Sequence, residues 1–369
     1  MRLLPVRPAL ALASFALAAS CGGMPPTPPP AAPARAVEPV TAQRARGANY
    51  VEVISREDSQ RVDILVGGVA FTSYIYPGAL RKPVLYPLRT AAGTVVTRGY
   101  PLEPRAGEQV DHPHHVGLWF SYGNVNGLDF WNNSTAIKAE DAAKMGTILH
   151  RAVNGSRSGE GRGTLDVTTE WVDSHGTALL TENVHFAFSA QPDFRAIDRI
   201  TTLTARDEPV LFADDKEGLI GMRVARGLEQ PSKTPEKFTD ASGRATTVAV
   251  LDNTGVTGLY RSSEGVEGDA VWGTRGRWAQ LTGTVAGEPV RIAMFDHPRN
   301  PGFPTYWDAR GYGLFAANPL GQKIFSNGKE QLNYHLAPGQ SVTFRHQVLI
   351  LTGSRLTQDL TPYYEGFTK

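Results

Sequence analysis

Asn183-Val184-His185-Phe186-Ala187-Phe188 sets Val184, Phe186 and Phe188 in alternation with Asn183, His185 and Ala187. Successive side chains of a β-strand point to opposite faces, so this period of two puts three large apolar groups on one buried face and the others opposite. The pattern recurs on both sides. Upstream come Tyr50 to Ile54, Arg61 to Val66, Val69 to Tyr76 and Thr164 to Val172; downstream come Ile197 to Ala205, Val290 to Phe295, Gly313 to Ala317 and Val342 to Leu351. Gly67-Gly68 between two of these runs predicts a tight hairpin, and Asn126-Gly127 another close turn. Helical patterning is confined to Thr135 to Lys144, after Ser134, and to Ser354 to about Leu360. Strands do not alternate with long amphipathic helices, which excludes a doubly wound parallel sheet. The expected fold is all-β: a large antiparallel β-sandwich with few short helices.

The N-terminal part reads differently. Arg2 and Arg7 precede an apolar stretch from Ala9 to Ala19, which ends in Leu17-Ala18-Ala19-Ser20-Cys21-Gly22. A basic start, a short apolar run and small residues before cysteine predict a signal peptide over 1–20, with Cys21 lipidated as the new N-terminus. Cys21 is the only cysteine, which leaves none for a disulfide or a cysteine-ligated zinc. Residues 21–45 are rich in proline and alanine (Pro25, Pro26, Pro28, Pro29, Pro30, Pro33), a composition that favours an extended spacer over a core. A single β-sandwich domain is then expected over 46–369. The localisation that follows is an exported domain held to a bacterial membrane by lipid alone, facing the periplasm or the exterior. A net charge of +1 with both signs interspersed argues against nucleic acid as a partner. No later segment is apolar for long enough to cross a bilayer as a helix.

Four polar clusters carry the chemistry. In Asp111-His112-Pro113-His114-His115, three of the nine histidines fall within four residues. If this stretch is extended, His112 and His114 share one face and His115 takes the other, a spacing that suits an acid/base pair or a divalent metal held by His112 and His114. Next, Asn126-Gly127-Leu128-Asp129-Phe130-Trp131 places a carboxylate among aromatics. Asp129 would bind substrate polar groups, while Trp131 and Trp307, with Trp119, would stack on the apolar face of a sugar ring. A third cluster, Asp214-Asp215-Lys216-Glu217-Gly218, interrupts an apolar run and offers Glu217 as an acid, with Lys216 as its charge partner and a substrate-binding candidate. The fourth, Asp296-His297-Pro298, has a carboxylate beside a candidate base, with Arg223 and Asn318 as further substrate-binding candidates. There is no Gly-x-Ser-x-Gly elbow, His-Glu-x-x-His helix, Walker loop or dinucleotide fingerprint.

The ordered string Asp111-His112-Pro113-His114-His115-x-Gly117-Leu118-Trp119-Phe120, Asn126-Gly127-x-Asp129-Phe130-Trp131, Lys216-Glu217-Gly218, Trp272-Gly273 with Arg277-Trp278, Phe295-Asp296-His297-Pro298-x-Asn300-Pro301 and Gly313-Leu314-Phe315-Ala316-Ala317-Asn318-Pro319 resembles the PmoA-like family of unknown function. The resemblance runs from about residue 50 to 352; Asp215 departs from it, standing where a threonine or similar small residue is expected before Lys216. It implies a sandwich of the galactose mutarotase-like kind and a setting in exported sugar breakdown. Methane oxidation, which the family label borrows from a membrane enzyme, is not expected. On residues and resemblance together, the favoured reading is an enzyme acting on carbohydrate by epimerase-, lyase- or hydrolase-type acid/base chemistry. His112, His114, His115, Glu217, His297 and Asp296 are then the catalytic candidates. The alternatives are a non-catalytic glycan-binding lipoprotein and a metal-dependent hydrolase or oxygenase.

Overall fold

The computed structural model describes residues 47–248 and 252–369. The signal segment 1–20, Cys21 and the spacer to residue 45 lie outside the described residues. Two large sheets carry the fold, and every pairing within them is antiparallel. The first orders its nine strands as Tyr306–Arg310, Leu314–Asn318, Gly218–Arg223, Leu118–Tyr122, Val84–Leu85, Val69–Ile75, Arg61–Val66, Tyr50–Arg56 and Gly159–Glu160. The second has eight: Leu259–Ser262, Trp278–Val285, Glu288–Asp296, Ser341–Leu351, Phe194–Ala205, Ala178–Gln191, Arg162–Val172 and Thr147–Arg157. The expected all-β sandwich is the observed architecture.

The alternation at 183–188 does what the period demands. Val184, Phe186 and Phe188 sit inside the main core while Asn183 is exposed. Phe188 meets Phe71 edge-on at 6.4 Å and Phe186 lies 5.9 Å from Tyr74, so the two sheets are sealed by aromatic contacts across the sandwich. Each such ring, fully buried, stabilises the fold by about 1.5–3 kcal/mol. Both expected turns form at residues with left-handed backbone: Gly67 and Gly68 have φ +57° and +81°, Asn126 and Gly127 +52° and +82°. Two consecutive positive φ angles match the right-handed twist of the flanking strands.

The helices depart from expectation. The first shrinks to a 3-10 turn at Ala139–Lys144. The chain end makes a 3-10 turn at Gly353–Arg355 and then an α-helix at Thr361–Thr368, later than expected, with a proline in its first turn. Proline has a fixed φ and no N–H to lose there, so Pro362 sets the start. Tyr364 and Phe367 of this helix cover Phe295 on the outer face of the second sheet at 5.6 and 6.0 Å. The helix thereby covers the part of that face formed by Phe194, Ala196, Ala293, Phe295, Leu349 and Leu351.

The outer face of the first sheet is built otherwise. Leu118, Phe120 and Tyr122 point inward, whereas Trp119 points outward into a separate cluster with Trp131, Val84, Tyr86 and Leu314. Register aligns Trp119 with Gly221, Gly221 with Ala316 and Ala316 with Asp308, giving one cross-strand row with an indole at one end and a carboxylate at the other. Among the described residues no helix is long and apolar enough to cross a membrane.

Candidate functional site

The histidine segment is a turn, not a strand. The His115 amide donates to the His112 carbonyl at 3.0 Å, and His112 itself takes φ +38°. Gly117 closes the turn at φ +58°, where a Cβ would stand 2.2 Å from the Leu85 carbonyl, so only glycine lets the chain pass. The expectation that His115 faces away from its neighbours therefore fails. Curling replaces alternation, and all three rings meet: His112 and His115 stack at 4.8 Å and 3°, and His114 meets His115 edge-on at 4.3 Å.

The stack continues on both sides. Tyr312 lies parallel to His112 at 5.2 Å and His115 lies over Trp119 at 5.0 Å, while Trp131 closes on Trp119 at 5.1 Å. The Arg223 guanidinium lies over the Tyr312 ring at 4.6 Å. The column rests on the row described above because Gly221 carries no side chain; a Cβ there would lie 2.6 Å from Trp119 and 2.8 Å from Trp131.

Asp111 organises the charges. Its Oδ1 accepts from Arg223 Nη2 at 2.7 Å and from Arg98, and its Oδ2 faces His112 Nδ1 at 2.6 Å. Hydrogen bonding from His112 and the two guanidinium charges outweigh burial and hold the Asp111 carboxyl well below the usual carboxylate range. A carboxylate that stays ionised accepts the Nδ1 proton of His112, which leaves Nε2 as the basic nitrogen. The His112 side chain is 41% exposed, so that nitrogen can meet a ligand. His114 and His115 differ. Burial, reinforced by neighbouring positive charge, lowers His114 to about 2 and pushes His115 well below the usual imidazole range, so both stay neutral. The Nε2 atoms of both are buried without a hydrogen-bond partner among the described residues. Arg223, in full burial, positions Asp111 and contacts Gln109 Oε1 at 3.3 Å and His115 Nδ1 at 3.4 Å. Behind it, burial raises Glu229 to about 7.

The second and third clusters border the same face. Glu217 pairs with Lys216, and the Glu217 charge reaches both Asp308 and Tyr312, the ring on which His112 stacks. Asp308 is buried, bonded to Trp272 Nε1 and Arg310 Nε at 2.8 Å each, and burial raises its carboxyl. Asp215 Oδ1 accepts the Glu217 amide at 2.9 Å and so builds the local turn. Asp129 accepts from the Trp131 and Asn132 amides at 2.9 and 2.8 Å and from Asn132 Nδ2 at 2.7 Å. It builds the turn that aims Trp131 and has little accepting capacity left for substrate.

Other expected residues lie elsewhere. Asp296 ends a strand of the second sheet and His297 follows it, away from the histidine column: Asp296 is buried and bonded to Asn300 Nδ2 at 2.7 Å and the Thr305 amide at 2.9 Å. Burial raises Asp296 to about 7, and His297 packs edge-on against Phe367 at 5.3 Å. The pair ties a loop to the strand and does not join the site. Trp307 points into the main core and donates to the Gly276 carbonyl at 3.2 Å, so it cannot stack on a ligand; Trp131, also fully buried, supports the column from beneath. Asn318 is buried and donates to the Asp215 and Lys216 carbonyls at 2.9 Å each, which fixes the acidic turn. Among the described residues no three His, Cys, Asp or Glu side chains converge as a metal-ligand set, so His112 and His114 are not joined into one. Sequence reasoning missed Asp308, Tyr312, Arg98 and Lys82. The one available signal was the Asp308 and Arg310 pair of charges in a short strand that otherwise reads as apolar.

Solved structures similar to this chain include the galactosidase domain of an α-galactosidase–sucrose kinase, with 11% identity, a TM-score of 0.39, and coverage of 82% of this chain and 42% of that one. A GH36 α-galactosidase from Geobacillus stearothermophilus gives 11% identity and a TM-score of 0.37 over 82% and 41% of the two chains. A galactose mutarotase-like protein from Clostridium acetobutylicum gives 10% identity and 0.39 over 83% and 99%. The chain thus spans about two fifths of the length of the galactosidases it matches. No curated protein matches it in sequence. The model of one family of unknown function, DUF6807, covers residues 61–364, well over half of the sequence, and the chain belongs to that family.

Proposed function

We propose that the protein acts on carbohydrate by general acid/base catalysis at the outer face of the first sheet. His112 moves the proton, Asp111 orients it, and Glu217 serves as the complementary acid on the rim. The observation that carries this reading is the Asp111–His112 contact of 2.6 Å at an imidazole that is 41% exposed. An ionised carboxylate on Nδ1 and an open Nε2 are what a base needs to take a proton from a sugar hydroxyl or a C–H beside a carbonyl. His114 and His115, held neutral, shape the column and supply polar atoms to it. Tyr312 and His112 present stacked ring edges beside which a pyranose can lie, whereas the buried tryptophans give no exposed platform. That burial removes the main support for a purely glycan-binding role.

The test is turnover of native and oxidised glycosides, followed by polarimetry and product analysis, in wild type, His112→Gln and Asp111→Asn. A loss of about 10²-fold or more in His112→Gln is expected. Wild-type rates in that variant would refute the assignment. We propose also that the PmoA-like motif string, which lies within the matched residues, and the DUF6807 match describe one group of sandwiches. Export directed by residues 1–20, with lipid on Cys21, would place the site outside the cytoplasm, where external glycans are met.

A further inference from the structure

Next to the histidine column lies a cavity of about 160 Å³, lined by Lys82, Arg81, His114, Leu80, Val116 and Asn133 among others, and none of its lining residues is acidic. A buried water needs only on the order of 15 Å³, so the space takes a group of several heavy atoms. Lys82 is 4% exposed, and its Nζ donates to the Trp131 carbonyl at 2.6 Å. An ammonium carries three donors, and this bond uses one. His114 Nε2 and Arg81 Nε, on two other lining residues, are buried without a partner among the described residues. The charge of Asp129 favours the protonated form of Lys82, but its oxygens accept from two amides and Asn132 while Lys82 Nζ donates to the Trp131 carbonyl.

Lys82 Nζ and Arg81 Nε are donors, His114 Nε2 joins them in its Nε2–H tautomer, and buried donors grouped this way are costly unless an acceptor with several lone pairs meets them. We infer that this cavity is a subsite for the carboxylate of an acidic sugar, held by Lys82, Arg81 and His114 while the ring lies toward His112. The inference rests on the proposed carbohydrate function and narrows its substrate to uronate-type sugars. His114 links the two places, since it lines the cavity and meets His112 edge-on at 5.6 Å. Leu80, Val84 and Val116 supply apolar walls that strengthen the charge pairing by excluding water. Burial lowers Lys82 to about 7, and a bound carboxylate would hold its proton in place.

Calorimetric titration of the full chain with D-glucuronate, D-glucose and acetate at pH 7 tests this. Glucuronate should bind at least tenfold tighter than either of the others. Lys82→Met should weaken glucuronate at least tenfold and leave glucose unchanged; Arg81→Gln, at a part-exposed position, should weaken glucuronate several-fold and guards against misfolding of the first variant. Equal binding of glucose and glucuronate, of acetate and glucuronate, or wild-type affinity in both variants would each overturn the subsite. Because the readout is binding, it is separable from the catalytic reading: lost turnover in His112→Gln with no glucuronate preference would sink only the subsite. Glucuronate binding with unchanged turnover in that variant would sink only the catalysis.

Discussion

Replacing Lys82 by methionine should make the protein more stable at neutral pH and less stable in alkali. Burial lowers Lys82 from 10.5 to about 7, and at roughly 1.4 kcal/mol per pKa unit this difference corresponds to about 5 kcal/mol over the full range. The sign follows from proton binding. Between pH 7 and 10.5 the unfolded chain keeps the Lys82 proton and the folded chain has lost it, so wild-type stability rises with pH across that window. At pH 7 the cost of burying this lysine stands at about 4 kcal/mol. Methionine fills a similar volume without that cost but strands the Trp131 carbonyl, now bonded at 2.6 Å, for a loss of about 1–3 kcal/mol. The variant should therefore gain about 2 kcal/mol at pH 7 and lose about as much near pH 10.5. Urea unfolding of both proteins at pH 7, 8.5 and 10 reads this as crossing midpoints, with shifts of the order of 1 M. Parallel curves, with a constant difference from pH 7 to 10, would refute the reasoning. A stability gain coupled to lost glucuronate binding would be the trade expected where a site keeps a strained charge for its ligand.

Glu182→Ala should cost about 3–5 kcal/mol in chemical unfolding, because it strands the buried Arg199 guanidinium that Glu182 meets at 2.6 Å between the sheets. Gly221→Ala should cost about 1–3 kcal/mol and change the near-ultraviolet circular dichroism, since the new methyl strikes Trp119 at 2.6 Å and lifts the histidine column. Cys21→Ser should release the protein from the membrane to the soluble fraction of fractionated cells; continued membrane attachment would count against lipidation.

The fold was legible because strand period and hairpin glycines are local signals. Val184, Phe186 and Phe188 needed only parity to find the core, and Gly67-Gly68 only their freedom at positive φ. The site was partly legible. Concentrated polar residues marked the His112 turn and the Glu217 turn, and both border one face. What could not be read was parity at a distance: Trp307 and Asp308 are neighbours, yet one faces the core and the other the site, and a one-residue shift would exchange them. The Asp296–His297 pair has the same chemistry in sequence as Asp111–His112. Only the fold separates them, burying Asp296 under Asn300 and Thr305 in the second sheet while Asp111 lies between two arginines at the first. Lys82 carried no sequence signal, since a lone lysine before a proline ordinarily sits in solvent.

The central claim is that Asp111 holds His112 with Nε2 free to accept a proton from a sugar. Long-range nitrogen–proton correlation spectra of His112 at pH 8, recorded with and without saturating D-glucuronate, address it directly. The expected form is the Nδ1-protonated tautomer, with the Nε2 resonance displaced when the sugar is added. A proton resident on Nε2, or a His112 ring indifferent to every sugar tested, would contradict it.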